Sequence, residues 1–82
     1  MAFEMTDTEA KVIWKMQRAI HTDDLYMQMN GQLSRQYVFQ LVRTMKLKGY
    51  VNRMKTGKKV RYIATKDAVK EAEKILQQQN IN

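Results

Sequence analysis

The sequence predicts a mainly α-helical domain carrying one β-hairpin, an α+β fold. Three observations predict it. Apolar residues recur at helical spacing over four segments. The spacing switches to strand-like alternation only between residues 50 and 64. The three glycines, Gly31, Gly49 and Gly57, fall where the pattern changes. With 82 residues, of which 44% are hydrophobic, the chain suits one small domain and is too apolar for a disordered tail.

Each element has its own signal. Thr6 and Glu9 form a capping box, so a first helix is expected over about residues 7–19, with Val12, Ile13, Met16 and Ala19 as its apolar stripe and Trp14 at the stripe's edge. Thr22, followed by Asp23 and Asp24 in a first turn that favours anions, is expected to cap a short second helix at about 23–29. It carries Leu25, Tyr26 and Met29, and Asn30-Gly31 stops it. Ser34 caps a third helix, about 35–48, whose Val38, Leu41, Val42 and Met45 recur at steps of three and four. Gly49 ends it in the left-handed conformation.

Tyr50–Lys55 and Lys58–Ala64 are β-rich runs on either side of Thr56-Gly57, which reads as the turn of a hairpin at about 50–64. Val60, Tyr62 and Ala64 alternate there with Lys59, Arg61 and Ile63. Thr65, Lys66 and Asp67 open a fourth helix, about 66–78, with Val69, Ala72, Ile75 and Leu76 on one face. There is no repeat or linker, and only Gln77-Gln78-Gln79 is compositionally biased, so residues 1–82 are read as one domain with a frayed end.

Charge narrows the function. The formal net charge is +7, and between Leu25 and Lys66 there is no acidic residue, while Arg35, Arg43, Lys46, Lys48, Arg53, Lys55, Lys58, Lys59, Arg61 and Lys66 all fall there. Such a concentration implies an anionic partner. No apolar run approaches the roughly 20 residues of a membrane span, and Met1–Met5 lacks the basic and apolar blocks of a signal peptide. A cytoplasmic, nucleoid-associated protein is therefore expected, with no membrane partner. The carboxylates never gather beside a base or nucleophile, so an enzyme is not expected. His21 near Asp23 and Asp24 is read as a surface histidine, and no metal or cofactor is assigned. Met16, Met29 and Met45 fall on core stripes, which accounts for them as packing residues rather than as a binding groove.

Two helices joined by the short turn Asn30-Gly31-Gln32-Leu33, with the second running directly into a basic hairpin, form a winged helix-turn-helix. On a wheel of about 100° per residue, the third helix sets Val38, Leu41, Val42 and Met45 on one side. Gln36, Gln40, Arg43 and Leu47 lie opposite, with Tyr37 and Thr44 on a shoulder. That face suits a major groove, where glutamine pairs with adenine and arginine with guanine, while Ser34, Arg35 and Lys46 are placed for phosphates. The wing adds Arg53, Lys55, Lys58, Lys59 and Arg61 for the backbone or a minor groove. Phe39, Tyr50 and Tyr62 are read as packing aromatics rather than stacking platforms for single-stranded bases.

The run Leu33-Ser34-Arg35-Gln36-Tyr37-Val38, then Leu41-Val42, Met45, Gly49 and Val51, resembles the recognition-helix signature of MarR-type and PadR-type winged-helix transcription regulators. Arg61-Tyr62-Ile63-Ala64-Thr65-Lys66-Asp67-Ala68 is similar to the strand and threonine-capped helix that follow there. The resemblance spans roughly Thr6 to Leu76. It implies a serine-capped recognition helix packed by valine and ended by glycine before the wing. The long extra helices that build the MarR dimer and ligand cleft have no counterpart, so no small-molecule effector is inferred.

The expectation is a sequence-specific regulator of transcription, a repressor, binding double-stranded DNA as a homodimer through helix one and the C-terminal helix, with Trp14 and Phe3 completing the interface. Two rival readings are a winged-helix module that docks on a protein, and a non-specific architectural or RNA-binding protein.

Overall fold

In a computed structural model, which describes residues 4–79, the threonine-glutamate pair starts α1 (Asp7–Lys15) as a complete capping box. Thr6 Oγ1 accepts from the Glu9 amide at 3.1 Å, and Glu9 Oε1 accepts from the Thr6 amide at 3.0 Å. The helix ends at Lys15 with Met16 as its C-cap, short of the expected end near Ala19. The reason is tertiary. Ile20 leaves the helix to exchange both backbone hydrogen bonds with Tyr62, each 2.9 Å, and the Met16 carbonyl accepts from the Ala64 amide at 2.8 Å.

α2 (Thr22–Gln28) begins one residue earlier than expected, because His21 and not Thr22 is its N-cap. The His21 Nδ1 accepts from the Asp23 amide at 3.1 Å, whereas Thr22 is the first helical residue and is buried. Asn30 (φ 53°) and Gly31 (φ 77°) then reverse the chain in the left-handed region, where only glycine and short amides are common. Ser34 Oγ accepts from the Tyr37 amide at 3.1 Å and starts α3 (Arg35–Leu47).

The hairpin pairs β1 (Val51–Thr56) with β2 (Lys59–Ala64) antiparallel, from Val51↔Ala64 to Thr56↔Lys59. The loop is therefore Gly57-Lys58, one position beyond the expected Thr56-Gly57. Gly57 has φ 63° at the first loop position, as glycine has in two-residue hairpin loops of type II′. Residue Ile20 adds a single bridge on the outer side of β2. α4 (Lys66–Gln79) starts where Thr65 Oγ1 accepts from the Ala68 amide at 3.2 Å.

The core forms where these elements meet. α1 packs chiefly on α4, α2 on α3, and α3 on β1. Ala10, Val12, Ile13 and Met16 meet Leu25 of α2 and its C-cap Met29, the four buried residues of α3, Tyr50, Val51 and Ala64 at the hairpin base, and Ala68 and Ala72 of α4. Tyr50 is thus a core residue and Tyr62 packs against the core, but Phe39 is 45% exposed and belongs to the surface, against expectation. Its ring lies under the Arg35 guanidinium, 5.8 Å away.

Among the described residues, one carboxylate is carried into this core. Glu9 is buried, and its carboxylate takes the Lys48 ammonium at 3.2 and 3.3 Å as well as the Thr6 amide. Lys48 also lies 5.6 Å from the Tyr50 ring centre. The end of α3 is thereby tied to the start of α1. Lys48→Met should lower stability by about 1 to 3 kcal/mol, because it leaves the Glu9 carboxylate, 3% exposed, without its counter-charge. Glu9→Gln in the same chain should recover part of that loss, which a thermal melt of the single and double variants would measure.

Candidate nucleic-acid interface

α3 is amphipathic in the phase the sequence predicts. Val38, Leu41, Val42 and Met45 are buried, and Gln36, Tyr37, Gln40, Arg43, Thr44 and Lys46 are all exposed. Since the backbone amides and carbonyls of the helix are used internally, this outer face can recognise a partner only through side chains. Gln36, Gln40 and Arg43 supply amide and guanidinium groups there, each able to make two parallel hydrogen bonds to a base edge. Leu47 lies on the same face and is 84% exposed. Sequence reasoning placed it on the wheel but gave it no role.

The first turn of α3 is organised by its neighbours. Ser34 uses its oxygen lone pair for the Tyr37 amide, leaving its hydroxyl hydrogen free to point outward. Arg35 hydrogen-bonds the Asp23 carboxylate of α2 while 60% of its side chain remains exposed, so it braces the two helices as well as adding charge. This bridge spans twelve residues, and no local pattern announces it. Asp23 in turn donates its amide to His21, so the turn between α1 and α2 and the first turns of α2 and α3 are joined by one polar chain.

The register sorts the wing's cations by face. Cross-strand partners share a face, so Arg53 (opposite Tyr62) and Lys55 (opposite Val60) lie on the side of the hairpin that includes the buried Val51 and Ala64. Lys59 and Arg61 lie on the other side with Met54 and Ile63. Lys58 is at the loop. The positive charge therefore surrounds the hairpin instead of forming one stripe. Arg61 is set apart further: it lines a groove with Lys15, Arg18 and residues of α2, none of them on α3.

Among the described residues, no helix is long and apolar enough to cross a membrane, and no three of His, Asp and Glu gather as a metal cluster would. The nearest such arrangement, His21 with Asp23, commits the histidine Nδ1 to capping α2.

The helix pair with its left-handed turn, the exposed α3 and the hairpin that follows it define a winged helix-turn-helix domain. Solved structures share this architecture. A mutant of ZitR from Lactococcus lactis superposes with a TM-score of 0.80 at 12% identity, covering 98% of this chain and 56% of that one. An ArsR-like transcriptional regulator from Rhodococcus sp. RHA1 gives 0.67 at 17% identity, covering 92% and 70%. A mutant of the type III plasmid segregation protein TubR gives 0.67 at 16% identity and covers 100% of both chains. This chain thus spans about half the length of ZitR. At these identities the likeness carries the fold alone. No protein-family model and no curated protein matches the sequence.

Proposed function

We propose that this domain is a sequence-specific regulator of transcription that binds double-stranded DNA and acts as a repressor of MarR/PadR-like type. The observation that carries the reading is the exposed face of α3, with Gln36, Gln40 and Arg43 on a helix that leads directly into a basic hairpin. α3 enters the major groove, Gln36, Gln40 and Arg43 read base edges, and Tyr37 and Thr44 border them. Ser34, Arg35 and Lys46 hold phosphates. Arg53, Lys55, Lys58 and Lys59 of the wing follow the backbone or the minor groove; Arg61, turned toward the groove below α2, stands apart from them. A likeness in fold to an ArsR-like transcriptional regulator supports the reading. The reading needs no cofactor or small-molecule effector, and it puts the protein in the cytoplasm at the nucleoid.

The acting form is a homodimer through α1 and α4. Trp14 is 41% exposed on α1, and Val69, Ile75 and Leu76 of α4 are only partly covered by the core. Phe3, the expected companion of Trp14, lies outside the described residues. Selection of bound sequences from a random duplex pool at physiological salt should yield a palindrome whose half-sites lie about 34 Å apart, one turn of DNA. Sedimentation at micromolar concentration should show a dimer. A strict monomer that selects a single half-site would remove the dimer, and a pool that stays random would remove sequence-specific regulation in favour of an architectural role.

A second reading has one observation in its favour. TubR is matched over the whole of both chains, whereas ZitR is matched over 56% of its length. In that reading the same DNA face serves plasmid segregation. Deleting the gene would then raise plasmid loss while leaving neighbouring transcripts unchanged, the reverse of what a repressor does.

A further inference from the structure

We propose that the groove between the end of α1, the outer face of α2 and Arg61 of β2 docks an acidic peptide segment of a partner protein. The groove is an open concavity of about 770 Å³, and no residue of α3 or β1 lines it. Arg61 aside, none of the residues assigned to DNA lines it.

Its chemistry specifies the occupant. Lys15, Arg18 and Arg61 converge on it from three segments of the chain, against the single carboxylate Asp24. Among the described residues none of the three cations is held in an ion pair. Unpaired cations around a concave surface focus a positive field into it. The groove also has an apolar member, Met27, which is 69% exposed although α2 has a core to bury it in. A flexible thioether of this kind adapts to apolar side chains of varied shape.

Anionic and apolar groups presented together are the property of a peptide in which carboxylates alternate with aliphatic side chains. Nucleic acid fits less well. Single strands are held by stacking on aromatic rings, and among the described residues no Phe, Tyr or Trp lines the groove, while the ring of His21 is tied to the Asp23 amide through its Nδ1. A duplex backbone offers phosphates but nothing for Met27.

The test uses the full chain, labelled with nitrogen-15, and two synthetic peptides: one alternating glutamate with leucine, the other with glutamine in place of glutamate. The glutamate peptide should shift the amides of residues 17–21, 27, 28 and 61, and its affinity should fall as salt rises. Arg18→Glu and Lys15→Glu should each weaken it about tenfold, the size expected for reversing one charge at a close complementary pair. Arg53→Glu, on the other face of the hairpin, should leave peptide affinity unchanged. All these positions are exposed, so a thermal melt should show each variant folded as the wild type.

Duplex DNA binding should be the same for Arg18→Glu as for wild type. The proposal is overturned if the glutamate peptide shifts none of these amides, or if the glutamine peptide binds as well. It is also overturned if duplex DNA shifts the same amides and Arg18→Glu loses duplex affinity, which would make the groove a nucleic-acid surface. Loss of sequence-selective duplex binding by the wild type would refute the transcription reading and leave the groove untouched.

Discussion

Val38→Asp is expected to unfold the domain. Val38 has no exposed surface, and it is the first core residue of α3, one helical turn after the Ser34 cap. Among the described residues the buried polar side chains are Glu9 and Thr22, and the ammonium that compensates Glu9, that of Lys48, is committed to it. An aspartate at 38 would find no partner. Burying an unpaired carboxylate costs several kcal/mol even after the group relaxes or takes up a proton, and domains of this kind have only about 5 to 15 kcal/mol in total. A short chain belongs toward the low end of that range, because it buries a smaller fraction of its surface. Circular dichroism on heating should show no cooperative transition for Val38→Asp. Val38→Ala should still melt cooperatively at a lower temperature, because it deletes methyl groups without burying a charge. A Val38→Asp protein melting at the wild-type temperature would mean that α3 does not pack through this face.

The phase of α3 was legible because it is a local property. Four apolar residues at steps of three and four can share only one side of a helix, and the capping serine and closing glycine mark its ends. The same holds for the Thr6–Glu9 box and for Thr65. The elements that departed from expectation are those decided by distant partners. Arg18 and Ala19 are good helix formers, and nothing near them states that Ile20 will exchange hydrogen bonds with Tyr62, so tertiary pairing overrode propensity at the end of α1. Histidine is not a favoured N-cap, so Thr22 looked the better candidate until its burial turned it inward.

The hairpin loop lies one residue from its expected place, yet the faces of the strands are unchanged. Moving the loop from Thr56-Gly57 to Gly57-Lys58 shifts every cross-strand partner by two positions, so the pairs change while the period-two alternation keeps each side chain on its face. Arg61 and Arg53 looked equivalent as charges in a basic run. Register assigns them to opposite faces, and only the packed chain shows that Arg61 joins Lys15 and Arg18 across a groove. The Arg35–Asp23 and Lys48–Glu9 pairs, separated by twelve and thirty-nine residues, were likewise beyond reach of local pattern.

Replacing Arg43 or Gln40 by alanine should cost about 1 to 3 kcal/mol on the best DNA site and relax base preference there, the loss expected when a bidentate pairing with a base edge is removed. Both residues project from the exposed side of a helix anchored by four buried side chains, so their direction relative to a groove is fixed. Lys58 and Lys59 stand at the loop and at the first rung of a two-stranded hairpin, and no helix aims them. Lysine is a flexible point charge, suited to phosphate and not to reading a base edge. Lys58→Ala and Lys59→Ala should therefore weaken binding to every sequence alike. Each should make the dependence of log affinity on log salt shallower by about one for each phosphate that is no longer neutralised. Fluorescence anisotropy against the selected site and a scrambled duplex, repeated at several salt concentrations, separates the two kinds of effect. If Lys58→Ala altered base preference while Arg43→Ala lowered specific and random binding equally, α3 would not be the reader, and sequence recognition would belong to the wing.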